Sequence, residues 1–262
     1  MDYVIQPNSE LRAHARQQLQ GVWWKMALAF FILFLIYLLM NLLSSLDYIL
    51  YLFCSGFSSD TMAAEQIQML LSFGIIAAFS KIMFIIMFVI RGPFDLGFSG
   101  FFLKRVRAQE INIRDIFDGF KRFLPSLLLW LFTVFFIFLW SLIFVIPVII
   151  IQISGGYANG ILSILFLILL LPAIIKSLSY SMAFFIMYDN PGIKPLAALK
   201  KSQIMMKEWK WKFFLLLLSF IGWFLLGLLT LGIGYFWLFP YINLSIANFY
   251  ENLRIGQDKG LI

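Results

Sequence analysis

Long hydrophobic runs separated by short polar connections set the pattern of this chain. About 20 mainly apolar residues, at about 1.5 Å each, are needed to cross a hydrocarbon layer roughly 30 Å thick. Six runs approach or exceed that length: Trp24 to Phe53, Met69 to Leu103, Phe123 to Ile153, Gly160 to Tyr188, Phe213 to Leu231 and Gly234 to Tyr250. A tight Thr230-Leu231-Gly232-Ile233-Gly234 turn divides the last two. The pattern predicts an all-α polytopic integral membrane bundle of about six transmembrane helices plus amphipathic interfacial helices, in one membrane domain over 1–262. The polar stretch Met1 to Gln20 is long, and the run after it exceeds the roughly 7–15 apolar residues of a cleavable signal, so the first run is expected to remain as a span.

The connections alternate in charge. Arg12, Arg16 and Lys25 precede or open the first run; Lys104, Arg105, Arg107, Arg114, Lys121 and Arg122 follow the second; Lys194, Lys200, Lys201, Lys207, Lys210 and Lys212 follow the fourth; Arg254 and Lys259 lie in the tail. The other connections hold no Lys or Arg, and the first of them carries Asp60 and Glu65. Basic loops stay on the cytoplasmic side, so the alternation predicts an even number of spans with both termini in the cytoplasm. Two basic segments also read as surface helices. A 3.6-residue period from Ile113 groups Ile116, Phe117 and Phe120 with it, opposite Arg114, Asp115, Asp118, Lys121 and Arg122, as in a helix half-sunk among headgroups. Near the N-terminus Leu11, Ala15, Leu19 and Val22 share a face that excludes Arg12 and Arg16. Pro195 to Lys212 is expected to be helical without a clean period. Trp23, Trp24, Trp209 and Trp211 sit where these segments meet spans, as interfacial anchors do.

The order basic segment, span, non-basic loop, proline-bearing span occurs over 9–107, 112–189 and 194–252. The second spans end in the aromatic pairs Phe101-Phe102, Phe184-Phe185 and Phe249-Tyr250. Pro93 and Pro240 precede their pairs at similar distances, whereas Pro172 lies further away. A true repeat would place three hairpins around a pseudo-threefold axis along the membrane normal. Shared membrane composition is the competing source of part of the recurrence.

Composition narrows the chemistry. The chain is 62% apolar and 13% charged over 262 residues, with a net charge of +7, against about half apolar and a quarter charged in soluble domains. The positive charge falls in loops, so it marks membrane topology and gives no reason to expect nucleic acid. One cysteine, Cys54, and one histidine, His14, leave no parts for a disulfide framework, a metal site or Ser-His and Cys-His catalysis. No HExxH, G-x-S-x-G, P-loop or GxGxxG pattern occurs, so no enzyme, cofactor or metal is expected. A Ser–Lys dyad using Lys176 is the enzymatic alternative. Charges within spans are costly and so become functional candidates: Lys81, Arg91, Asp95 and Lys176. Arg91 and Asp95 are spaced to pair along one helix with Pro93 between them, unless Arg91 snorkels and Asp95 merely satisfies it. Asp95, Lys176 and Asn243 each follow a proline, and with Ser99, Ser177, Tyr180 and Ser181 they are expected to form a central polar pocket. Small-residue helix contacts are the competing role for Ser177 and Ser181.

Several blocks then become recognisable. They are Glu10-Leu11, Gln18-Leu19 with Gly21 and Trp23, Gly92-Pro93 with Gly97, Asp118-Gly119-Phe120, and Pro172-Ala173-Ile174-Ile175-Lys176 with Tyr180-Ser181-Met182-Ala183. They continue with Asp189-Asn190-Pro191, Ala198-Leu199-Lys200-Lys201-Ser202, Met206-Lys207, Phe220-Ile221-Gly222-Trp223, Thr230 to Gly234, Pro240-Tyr241 and Phe249-Tyr250-Glu251. With these the chain resembles the bacterial integral membrane family called domain of unknown function 975, common in Gram-positive species. Glu208 departs from it, standing where the family has glycine after Met-Lys. The resemblance implies a six-span helical fold in a bacterial plasma membrane and supplies no activity. From the residues themselves, the expected function is non-enzymatic binding or transport of a lipid or membrane-active peptide, in an immunity or envelope-stress role. The expected partners are membrane lipids, an amphipathic peptide or another membrane protein. An accessory subunit of a transporter or sensor complex is the alternative.

Overall fold

A computed structural model describes residues 6–44, 62–153 and 171–260. The end of the first predicted run, Asp60 and the start of the fourth run lie outside the described residues. The helices are α1 (Asn8–Leu19), α2 (Trp23–Ser44), α3 (Met62–Val106), a 3₁₀ segment (Ile113–Arg122), α4 (Phe123–Ile153), α5 (Leu171–Tyr180), α6 (Ala183–Asp189), α7 (Pro195–Met205), α8 (Lys210–Leu218), α9 (Ile221–Leu229) and α10 (Tyr235–Asp258). No strand occurs among the described residues.

Among the described residues, four helical stretches are long and apolar enough to cross a membrane: Lys81–Val106, Ile113–Leu142, Leu171–Asp189 and Lys210–Leu229. α2 is helical for 22 residues. The predicted sixth run behaves differently. α10 is a 24-residue helix too polar to count with the four, and half of its residues are buried, among them Tyr241, Leu244, Ser245, Ala247, Asn248, Phe249 and Tyr250. Asn243, Ser245 and Asn248 donate to carbonyls one turn back on α10 itself, and Asn248 also pairs with Gln18 of α1. α3 departs from expectation in the other direction. It runs for 45 residues, about 67 Å at 1.5 Å per residue, which is roughly twice the hydrocarbon thickness. Glu65, read as part of a loop, therefore lies within a helix.

The basic segments pack in cyclic order. α1 lies on α10, the 3₁₀ segment on α3, and α7 on α6. Each thus rests on the last helix of the preceding unit, with α1 closing the ring. α2 likewise contacts α10 and α3, α4 contacts α3 and α5, and α8–α9 contact α5 and α10. The α1 face behaves as its period predicts: Leu11, Ala15 and Leu19 are fully buried. Gly21, at φ +77°, then turns the chain into α2, a left-handed conformation that glycine adopts without a Cβ penalty. A reciprocal amide pair, Gln18 to Asn248 at 2.7 and 3.2 Å, registers α1 against α10.

The second basic segment corrects an expectation. It winds as a 3₁₀ helix with period three, so Ile116 and Gly119 stack on one stripe and both are buried. Asn112 and Asp115 cap it reciprocally, at 3.0 and 2.8 Å. The cause of the tight winding is a backbone-to-backbone approach to α3. A Cβ at Gly97 would overlap the Ile116 carbonyl, and one at Gly119 would overlap the Pro93 carbonyl. The buried stripe therefore faces protein. Phe117, 48% exposed, is the ring left outward.

Many residues that supply the positive-charge pattern are engaged within the fold. Lys104 pairs with Asp115 and Asp118 at 2.9 and 3.3 Å, and Arg105 donates to the Gln18 carbonyl at 2.6 Å. Arg122 donates to the last carbonyls of α6, Met187 at 2.7 Å and Tyr188 at 3.3 Å. Arg107 is the hub. Its Nη1 and Nη2 donate to both Asp189 oxygens at 2.8 Å, while Nε and Nη2 donate to Glu251 Oε2 at 3.2 and 2.7 Å. Tyr250 adds its hydroxyl to Asp189 at 2.9 Å, and Arg254 donates to Glu251 Oε1 at 2.6 Å. The Asp189 hydrogen bond raises the Arg107 pKa above its already high ordinary value against the opposing effect of burial. Burial raises the Glu251 pKa, but hydrogen bonds from Arg254 and Arg107 together outweigh it and leave the carboxyl below its ordinary range.

Two predictions follow from these contacts. Gly97→Val should lower stability in detergent by about 1–3 kcal/mol through overpacking, whereas Gly222→Ala, where a Cβ meets nothing within 4 Å, should leave the melting temperature nearly unchanged. Equal melting temperatures would contradict the close approach. A lowered carboxyl pKa gives stability that is full above the ordinary glutamate range and lost as pH falls through the folded value. Glu251→Gln should therefore cost about 1–3 kcal/mol at neutral pH and flatten the acid side of the stability curve; parallel curves would count against the hub.

Candidate functional site

Beyond the hub, the axial helices separate around a cavity of about 930 Å³. Its walls are largely aromatic: Phe30 and Phe34 from α2, Phe94, Phe98 and Phe102 from α3, Phe184 and Phe185 from α6, and Tyr235, Phe236 and Phe239 from α10. The Leu231–Ile233 turn borders it, and Leu231 takes φ +53° while Gly232 takes φ +89° to make that turn. Rings from different helices interlock here. Phe30 stacks on Phe98 at 5.2 Å and on Phe239 at 5.9 Å, and Phe236 meets Phe31 and Phe34 edge-on at 5.3 and 5.2 Å. Toward the hub the space closes on the three aromatic pairs, with Phe185 stacked on Tyr250 at 5.2 Å and Phe213 against Phe249 at 5.1 Å.

The predicted polar residues divide. Arg91, Asp95, Ser99, Ser181 and Asn243 all line the cavity. The expected Arg91–Asp95 pair is present, with Nε 3.1 Å from Oδ2. Pro93 and Pro240 lie inside α3 and α10 and remove backbone donors beside this site. Ser99 Oγ donates to the Asp95 carbonyl at 2.8 Å, and Asn243 Nδ2 donates to the Phe239 carbonyl at 2.9 Å. Both side chains are thereby held on their own helices. Ser181 Oγ does the same toward the Leu178 carbonyl at 2.8 Å.

Lys176 and Tyr180 are not in this group, which corrects the expected pocket. The Lys176 ammonium lies 4.5 Å from the Trp140 ring centroid, a cation–π contact with α4. Tyr180 is buried with its ring 6.4 Å from Phe136, also on α4. The reason is a break between α5 and α6 at Ser181-Met182, which turns the residues before it toward α4. Ser202 of α7 fits into that break. Its fully buried hydroxyl donates to the Ser179 carbonyl at 2.8 Å and accepts from the Met182 amide at 3.2 Å. This satisfies backbone groups that an interrupted helix leaves open. The longer interval from Pro172 to its aromatic pair is the one sequence signal that this unit differs. The aromatic wall gave no such signal, because phenylalanine is abundant throughout the chain, at 31 residues.

The site therefore offers an apolar, ring-lined volume with one ion pair and a few tethered polar groups, inside a helical membrane protein. No curated protein and no solved structure matches the chain. A family match covers residues 1–257, including every helix that builds the cavity and the hub. The chain belongs to the family described as protein of unknown function (DUF975).

Proposed function

We propose that this protein holds a lipid-like amphiphile in the axial cavity, without catalysing a reaction on it. The observation that carries the reading is the cavity itself. Ligand sites are mostly apolar hollows of about 300–1,000 Å³ with a small number of placed polar groups, and this one has about 930 Å³, an aromatic wall and one ion pair. Inside a bilayer, acyl chains are the most abundant occupant of such a space. The same reading puts the basic end and both termini in the cytoplasm, by the distribution of Lys and Arg, and the resemblance to a bacterial family puts the protein in a bacterial plasma membrane. Lys200, Lys201 and Lys207 are exposed there beside Ile204 and Trp211, a face suited to anionic headgroups. The cyclic packing supports three related hairpins as the architecture around the cavity.

Native mass spectrometry of the full chain, purified from its own membranes in a mild non-ionic detergent, tests this. The expected result is one lipid retained per chain. The lipid should be lost from Ser181→Trp and Asn243→Trp, which fill the cavity, while both variants remain monodisperse. Three results would contradict the reading: a retained peptide, a stoichiometric protein partner with no lipid, or equal lipid retention in the filled variants.

A further inference from the structure

Among the described residues, the charged lining of the cavity is one cation and one anion, Arg91 and Asp95. Their bond engages Arg91 Nε and Asp95 Oδ2 at 3.1 Å. A guanidinium carries five N–H donors and a carboxylate two accepting oxygens. The two Nη groups and Oδ1 have no partner among the described residues. The Arg91 side chain is 65% exposed and that of Asp95 28% exposed, both on the cavity. A donor fork and an acceptor thus stand side by side, and their charges sum to zero.

Charge balance then selects the head of the ligand. A purely anionic head would leave one uncompensated negative charge in a low-dielectric space, and a purely cationic head one positive charge; both are costly. A head carrying both signs leaves neither. The surroundings favour the positive part near Asp95, because Phe94, Phe98 and Phe239 line the cavity with it and aromatic faces attract ammonium groups. Depth matters too. Arg91 lies thirteen residues from Lys104, at the basic end of α3, about 20 Å at 1.5 Å per residue, which puts it inside a membrane layer roughly 30 Å thick. A lipid head bound there has left the headgroup layer.

Resting on the reading of the cavity as a lipid site, we infer that its ligand is a zwitterionic phospholipid with an amine-and-phosphate head. The phosphate meets the free Nη donors of Arg91, the amine meets Asp95 among the rings, and the acyl chains follow the aromatic wall. The Arg91–Asp95 pair is the specificity element, and the rings supply affinity for any acyl chain.

The test uses the full chain in non-ionic detergent, titrated with dioctanoyl phosphatidylethanolamine and, separately, dioctanoyl phosphatidylglycerol. The wild type should prefer the ethanolamine lipid by about tenfold or more. Asp95→Asn leaves Arg91 as the cavity's one charge and should reverse the preference toward the glycerol lipid. That reversal also shows the variant to be folded. Arg91→Gln should weaken both lipids. Equal affinities in the wild type, or a ratio unchanged by Asp95→Asn, would overturn the inference. Ser181→Trp separates this from failure of the cavity reading. Loss of both lipids in that variant keeps the cavity as the site whatever the head preference, and unchanged binding of both would remove the site itself.

Discussion

One guanidinium ties together three stretches of chain that are far apart in sequence. Arg107 opens the turn after α3, Asp189 ends α6, and Glu251 lies in α10. Asp189 meets the planar fork of Arg107 through both oxygens, and Glu251 takes the remaining edge, so the contact fixes direction as well as distance. The side chains are only 13–27% exposed, which keeps water from competing freely. The aromatic pairs stack immediately beneath, and the cavity begins where they end.

The second constraint is the approach of the 3₁₀ segment to α3. Backbone meets backbone at Gly97 and Gly119, which locks the rotation of α3 and with it the direction of Arg91, Asp95 and Ser99. The same locking recurs by other means around the ring. Ser202 bridges the broken α5–α6 backbone, and Gln18 pairs with Asn248 on α10. Small buried residues, Ala15, Gly119, Ala198 and Ser202, occupy the interfaces of all three basic segments. Close packing of small residues and satisfied polar groups is what joins helices where lipid surrounds them, since apolar surface gains little by leaving lipid for protein.

What could be read in the sequence was whatever depends on local period and composition. The α1 face, the Arg91–Asp95 pair and the membrane character of the long helices follow from spacing alone. The 3₁₀ winding was not legible, because Ile113, Ile116 and Phe120 fit a 3.6-residue period well and only the contact with Gly97 imposes three. The place of Lys176 was not legible, because a helix break held by Ser202, 26 residues later in the chain, turns its segment toward α4. Arg107, Asp189 and Glu251 were each visible as polar residues, yet nothing local pairs residues separated by 82 and 144 positions. Asp118-Gly119-Phe120 and Gly92-Pro93 with Gly97 carried the family resemblance as separate blocks, and in the fold they touch.

Together these constraints describe a helical bundle whose polar residues serve two different ends. At the basic end they bind helix to helix; in the cavity a single pair is left facing space that lipid can fill. The central claim is that this space holds one amphiphile with its head at the pair. An experimentally determined structure of the full chain in a lipid nanodisc tests that claim most directly. The account predicts elongated density between Phe30, Phe98 and Phe236 that ends against Arg91 and Asp95. A cavity filled by the protein's own side chains, or density that never reaches the pair, would contradict it.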